Sequence, residues 1–284
     1  MTLRDGNKID VEAAVLERYS SGARCCENSL CCAVDYDRRL LDVIPAEIVE
    51  RDYGCGDPSR YLHPGETVLD LGSGSGKICY IAAQIVGPAG RVVGVDMNDN
   101  MLALARKYQS EIARRLGYDN VEFRKGRIQD LALDIEKLEA ALDSEPVVSP
   151  AFAIETEIVA ARLRRSQPMI ESNSMDVVIS NCVLNLVDPT AKKNLFDEIF
   201  RVLKTGGRAV ISDIVSDADI PAEMQNDPNL WSGCISGAFR EHLFLDAFRA
   251  AGFALVQLVS RDEKPWQTIR NIEFRSVTVE ARKG

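Results

Sequence analysis

Histidine is nearly missing from this chain of 284 residues: His63 and His242 are the only two, and His63 sits beside Pro64 in a turn. Both read as solvated side chains, and neither is assigned a catalytic role. Basic charge is also in deficit. Thirty-four Lys+Arg against 43 Asp+Glu give a net charge of −9 with no basic stripe, the wrong sign for coating phosphates, so nucleic acid is excluded as a partner. No apolar run approaches the ~20 residues of a membrane span, and residues 1–15 carry no apolar signal-peptide core. A cytoplasmic protein with no membrane partner is the expectation. Eight cysteines fall far below the roughly 8–10% that marks a disulfide scaffold, so in a reducing compartment each thiol is a ligand, a nucleophile or a packed core residue. Repeats and low-complexity tracts are absent too. What remains, 46% hydrophobic and 27% charged, suits one elaborated α/β domain able to bury a large core.

Four stretches read as strands feeding helices: residues 66–72, 91–96, 121–126 and 175–181, with helical patterns over 77–86 and 98–116. Strands rich in Val, Ile and Leu alternating with amphipathic helices imply a parallel, doubly wound, Rossmann-like sheet built from βαβ units. A helix over 191–203, stopped by Thr205-Gly206-Gly207, precedes a fifth strand at 208–215. The expected domains are an N-terminal Cys-rich helical segment at 1–64, a cofactor-binding domain at 65–215, and a C-terminal α+β substrate-binding extension at 216–284. Residues 132–170 form a charged, helix-prone insert where a tight connection would suffice. Its charges alternate in sign and read as a solvated helix face.

Asp70-Leu71-Gly72-Ser73-Gly74-Ser75-Gly76 follows a strand and opens a helix, the context in which a glycine pattern becomes informative. The glycines admit a ligand close to backbone N–H groups, and Asp96, ending the next strand, can accept hydrogen bonds from ribose hydroxyls. A dinucleotide site is the first rival. Against it, the third glycine arrives one residue early and Lys77 holds the expected position. The run resembles motif I of class I S-adenosylmethionine-dependent methyltransferases, with Val95-Asp96-Met97 as the ribose-binding acid and its neighbour and Arg127-Ile128-Gln129-Asp130 where that family contacts adenine. The resemblance implies S-adenosylmethionine as cofactor, held by Asp70, Gly72, Ser73, Gly74, Gly76, Asp96, Met97, Ile128, Gln129 and Asn181.

Three cysteines have distinctive surroundings: Tyr53-Gly54-Cys55-Gly56, Ser180-Asn181-Cys182-Val183-Leu184-Asn185-Leu186, and Leu230-Trp231-Ser232-Gly233-Cys234. Cys182 ends the fourth strand, where open α/β sheets bind ligands, and should face whatever the cofactor reacts with. The flanking glycines suggest that Cys55 and Cys234 are exposed rather than packed. With Cys79-Tyr80, Gly94-Val95-Asp96-Met97, Arg201-Val202-Leu203-Lys204 and Ser212-Asp213, these segments resemble the arsenite methyltransferases from about residue 50 onward, interrupted by the insert. The resemblance implies that Cys55, Cys182 and Cys234 are the ligands of trivalent arsenic. It also implies a catalytic N-terminal cysteine, Cys31 or Cys32, and an external thiol reductant such as thioredoxin or glutathione. As(III) is soft, binds three thiolates and keeps a lone pair that attacks the sulfonium methyl, so no general base is needed.

Departures from the family pattern are the pairs Cys25-Cys26 and Cys31-Cys32, the variant segment Ser232-Gly233-Cys234-Ile235-Ser236-Gly237, and the insert. They leave open another small soft or organic acceptor, or a non-catalytic thiol-rich protein that holds a metalloid without turnover. Adjacent cysteine pairs lack the C-x₂₋₄-C spacing of zinc sites. Cys79, on a helix, is expected to pack; Trp231 either covers the arsenic pocket or anchors the tail.

Overall fold

The computed structural model describes residues 10–24, 34–144 and 152–284. Cys25, Cys26, Cys31 and Cys32 lie outside the described residues, and with them the core of the expected Cys-rich segment. Helix α1 (Val11–Gly22) starts where the Asp10 carboxylate accepts the Ala13 N–H. Two short helices, α2 (Arg38–Leu41) and α3 (Ala46–Glu50), and a 3₁₀ turn at Pro58–Tyr61 lead into the first strand.

Strand β1 (Thr67–Leu71), α4 (Lys77–Val86), β2 (Arg91–Asp96), α5 (Asp99–Leu116) and β3 (Val121–Lys125) follow in alternation. Val68, Leu69 and Leu71 are fully buried, the continuous apolar pattern of a strand covered on both faces. Helix α5 is delimited by its own sequence. The Asn98 side chain accepts the N–H groups of Asn100 and Met101, and Gly117 closes the far end at φ 83°.

The insert is a helical hairpin, α6 (Ile135–Ser144) and α7 (Phe152–Ser166), with its own small core of Leu133, Ala160 and Leu163. Its ends are stitched together by Met169 N–H to Ala132 C=O and Ile170 N–H to Leu131 C=O, both 2.9 Å. The main sheet then resumes with β4 (Met175–Asn181), α8 (Lys192–Val202) and β5 (Leu203–Ser216). Strand β5 begins at Leu203, directly from the helix, rather than at 208, because Leu203 already pairs with Met175.

The remaining elements are α9 (Ala222–Gln225), α10 (Pro228–Ser232), β6 (Phe239–Arg240), α11 (Glu241–Ala250), β7 (Leu255–Arg261), β8 (Gln267–Ile269) and β9 (Ile272–Arg282). The strand order is β3-β2-β1-β4-β5-β9-β7, parallel through β5, with β9 antiparallel to both β5 and β7. This is the doubly wound, Rossmann-like sheet that the sequence predicts, extended by antiparallel strands. Strands from beyond residue 216 complete that sheet: Val277, Val279 and Ala281 join the apolar cluster beneath α8 and α11, while Ile220, Met224, Ile235, Ile272 and Phe274 form a smaller cluster with Cys55 and Ile214. Strand order reverses at β1, whose neighbours are β2 and β4. The carboxyl ends of β1 and β4 therefore open a crevice at the switch point, where such sheets bind ligands.

Candidate active site

The loop leaving β1 folds back on β2. Gly72 and Ser73 donate to the Val95 carbonyl, and Gly74 N–H donates to Asp96 Oδ2 at 2.9 Å. Gly72 has φ 68°, and a Cβ there would stand 2.4 Å from the Val183 side chain, so only glycine lets β1 turn this close to the strand-β4 loop. Asp96 Oδ1 accepts the Asn98 N–H at 2.8 Å. Both carboxylate oxygens are thus anchored, with acceptor capacity left for a ligand hydroxyl. Burial pushes the Asp96 carboxyl up, opposed by those N–H donors.

A solvent-connected cavity opens over this loop, about 880 Å³ when the open solvent at its mouth is counted. Gly72, Gly74, Asp96, Met97, Ile128 and Gln129 line it; Asp70, Ser73, Gly76 and Asn181 do not. Asp70 lies beneath the loop, accepting the Cys79 thiol at 3.2 Å, and burial raises its carboxyl to about 8. Cys79 is fully buried and packs, as the sequence suggests. Gly76 caps α4 at φ 88°. Lys77, at the position a dinucleotide glycine would hold, turns into a buried ion pair with Asp52 (2.7 Å), its amine 4.4 Å from the Tyr36 ring centroid.

Helix α1 roofs the cavity with Glu12, Leu16 and Tyr19. Glu12 is held by Arg127 (2.9 Å) and Gln129 (3.1 Å), while Arg18 reaches the Asn229 carbonyl (2.8 Å) and the Ser232 hydroxyl (3.1 Å). Sequence reasoning missed this roof, since nothing local marks α1 as a cavity wall.

At the far wall Cys182 lines the cavity, and Cys55 and Cys234 converge on it from behind. Cys182 follows β4 at φ 64°, its N–H donating to the Ser212 carbonyl at 2.8 Å, and its half-buried thiol lines the cavity. The thiols of Cys55 and Cys234 both lie within hydrogen-bonding reach of it, and these contacts together with burial push the Cys182 thiol well up. Cys234 also adopts a positive φ, 63°, and donates its thiol to the Cys182 carbonyl at 3.1 Å. The Tyr19 hydroxyl meets the Cys234 thiol from α1.

Two expectations need correction. Cys55 and Cys234 are buried, 5% and 4% exposed, because their glycines serve close packing rather than exposure: a Cβ on Gly54 would lie 2.2 Å from the Asn181 amide. Asn181 itself does not reach the cofactor cavity. Its Oδ1 accepts the Cys55 and Gly56 N–H groups at 3.0 Å, and its Nδ2 donates to the Gly56 carbonyl and the Tyr36 hydroxyl. It positions the Cys55 thiol. Trp231 resolves as an anchor, buried with its indole N–H on the Leu186 carbonyl at 3.2 Å.

Asp213 was unassigned by sequence, although it follows Ser212 at the end of the fifth strand. One of its carboxylate oxygens and the sulfurs of Cys55 and Cys182 all lie within 4.8 Å of one another. Asn185 Nδ2 (2.8 Å) and Ile214 N–H (2.8 Å) hold it, and burial raises its carboxyl to about 6. Asn185 also donates to the Ile214 carbonyl at 2.7 Å, tying β5 to the loop that carries Cys182. Beside this network the Lys192 amine, lowered to about 8 by burial, lies 4.1 Å from the Phe239 ring centroid.

A methyltransferase domain family matches residues 62–150 and 151–270. Over 239 residues the chain is 37% identical to the arsenite methyltransferase of Halobacterium salinarum, a match covering 81% of this chain and 50% of that one. Over 247 residues it is 31% identical to the arsenite methyltransferase of Homo sapiens, covering 86% of this chain and 56% of that one. The crystal structure of an arsenic(III) S-adenosylmethionine methyltransferase from Chlamydomonas reinhardtii aligns with a TM-score of 0.66 at 30% identity, covering 87% of this chain and 73% of that chain. The chain belongs to the arsenite methyltransferase family. That membership confirms the resemblance drawn from the glycine loop and the cysteine segments. The chain spans about half the length of the curated relatives it matches.

As a family member the chain should hold S-adenosylmethionine, and the cavity fits it. The glycine loop gives a floor that side chains would fill, Asp96 offers carboxylate lone pairs for ribose hydroxyls, and Met97 and Ile128 give apolar walls for a purine.

Proposed function

We propose that this chain transfers a methyl group from S-adenosylmethionine to trivalent arsenic, arsenite or methylarsenite, bound by Cys55, Cys182 and Cys234. The observation that carries this is the convergence of three thiols at the end of β4, with Cys182 on the wall of the cofactor cavity. When bound, S-adenosylmethionine supplies an electrophilic methyl on a sulfonium, whose departing sulfur keeps the bonding electron pair.

In this reading Gly72, Gly74, Asp96, Met97, Ile128 and Gln129 hold the cofactor, with Asp70, Ser73 and Gly76 shaping the loop from below. The thiols exchange As–O bonds for As–S bonds, three on arsenite and two on methylarsenite, each thiol proton leaving with hydroxide as water. Arsenic bound this way keeps a lone pair, and the cysteines aim it at the methyl. Forming the As–C bond raises arsenic from the trivalent to the pentavalent state. Two thiolates joining as a disulfide return the two electrons, and we assign Cys31 or Cys32 to that step. An external thiol reductant such as thioredoxin or glutathione then reduces the disulfide. That requirement fits a reducing cytoplasm, and among the described residues no helix is long and apolar enough to cross a membrane.

The Asp213 oxygen beside Cys55 and Cys182 favours one competing reading, a harder cation such as zinc held without turnover. A single assay separates the two. Purified protein is incubated with S-adenosylmethionine, excess thiol, and arsenite or methylarsenite, and arsenic species are separated chromatographically. Methylated arsenic that disappears in Cys182→Ser supports the proposal. Stoichiometric zinc retention with no methylated arsenic contradicts it.

A further inference from the structure

Among the described residues the thiol cluster lies between two openings. Cys182 stands on the wall of the cofactor cavity, and Cys55 does not. Cys55 instead lines a second, more open groove with Gly56, Ser276 and Thr278, while Ser260 and Trp266 stand at its rim. The sulfurs of Cys55 and Cys182 lie within 4.8 Å of each other, so the two openings meet at this pair.

We propose that this groove is where the arsenical enters and the methylated product leaves, separate from the cofactor's opening, and that it admits a small, uncharged trivalent arsenic hydroxide. The inference rests on the functional reading above and deepens it. In-line transfer puts the incoming lone pair and the departing sulfur on opposite faces of the methyl carbon, so the methylated arsenic forms on the side away from the cofactor. With the cavity filled, exchange past the cofactor would require lifting α1. That helix is tied to Arg127 and Gln129 at one end and to Asn229 and Ser232 at the other, so lifting it breaks both sets of bonds. Among the described residues the groove needs no such opening.

Its lining suits the visitor. Backbone and small side chains predominate at the bottom: a Cβ on Gly56 would stand 2.7 Å from Ser212, and the Ser276 hydroxyl donates to the Cys55 carbonyl at 2.6 Å. The rim mixes signs, Arg60 being paired with Asp57 and Lys264 lining the same opening as Asp35 and Asp262, so no net field favours an anion. Trp266 packs in the apolar cluster that contains Cys55, which makes it a reporter of arrival.

The test is stopped-flow association of arsenite, followed by tryptophan fluorescence, in the free chain and in the chain saturated with S-adenosylhomocysteine. The expected result is an association rate that saturation leaves unchanged and that Ser260→Tyr, at the exposed rim, slows by about tenfold. Affinity for S-adenosylhomocysteine stays unchanged in that variant, which also shows it to be folded. Arsenite association abolished by S-adenosylhomocysteine, or unaltered in both Ser260→Tyr and Lys264→Tyr, would overturn the separate entrance while leaving the thiol site standing. A wild-type chain that fails to bind arsenite would overturn both.

Discussion

Cys182 and Cys234 are held at φ 64° and 63°, where side chains other than glycine are strained by roughly 1–2 kcal/mol. The strain sits on two of the three thiols, as expected where function rather than stability chooses the residue. Cys182→Gly is therefore expected to keep or raise the melting temperature of the ligand-free chain while removing arsenite binding, which calorimetric melting and a binding titration check together. Asn181 acts in the opposite sense. It satisfies two backbone N–H groups and a carbonyl around Cys55, so Asn181→Ala should cost about 1–3 kcal/mol in urea unfolding and weaken arsenite binding with little change in cofactor affinity. Asp70 gives a pH signature. Its folded carboxyl, raised to about 8 by burial, binds a proton that the unfolded chain has already lost above about pH 4, so its contribution to stability falls as pH rises from about 4 to 8. Relative to wild type, ligand-free Asp70→Asn should gain stability between pH 6 and pH 8; a difference independent of pH would contradict the assignment.

Among elements, α1 shows what a sequence conceals. Its helical start was legible, yet its task depends on Glu12 meeting Arg127 and Gln129, and Arg18 meeting residues beyond 228, contacts that no local pattern encodes. These partners are partly exposed and screened, so Glu12→Ala should weaken S-adenosylhomocysteine binding only several-fold, about 1 kcal/mol or less, and less still at high salt. Isothermal titration at two salt concentrations reads both effects. The glycine loop and β2 were legible for the converse reason. Their chemistry is contiguous: three glycines between a strand and a helix, and an acid ending the next strand. Strand β7 escaped notice because it pairs only with β9 and its residues are mostly exposed, without the alternation that marks a half-buried strand. Gly54 and Gly56 misled as signs of exposure because close packing and exposure select glycine alike.

For the whole molecule, one sheet carries both halves of the site, and the core beneath it transmits order to both. Phe248, fully buried, stacks edge-on against Phe196, Phe244 and Phe253 where the tail helix meets α8. Phe248→Ala should cost about 3–5 kcal/mol and melt the domain as one unit, since the tail strands share the main core. The fold class was legible because hydrophobic strands and helices alternate. The joining of the tail to the same sheet was not, because antiparallel pairing between β5 and β9 links segments some sixty residues apart without a sequence signature. The central claim, that Cys55, Cys182 and Cys234 together hold arsenic beside the cofactor, is tested most directly by arsenic K-edge absorption on a chain whose Cys25, Cys26, Cys31 and Cys32 are serine. The account predicts three sulfur neighbours around bound arsenite, reduced to two by Cys182→Ser. Three sulfurs persisting in that variant, or arsenic held by oxygen alone in the parent, would contradict it.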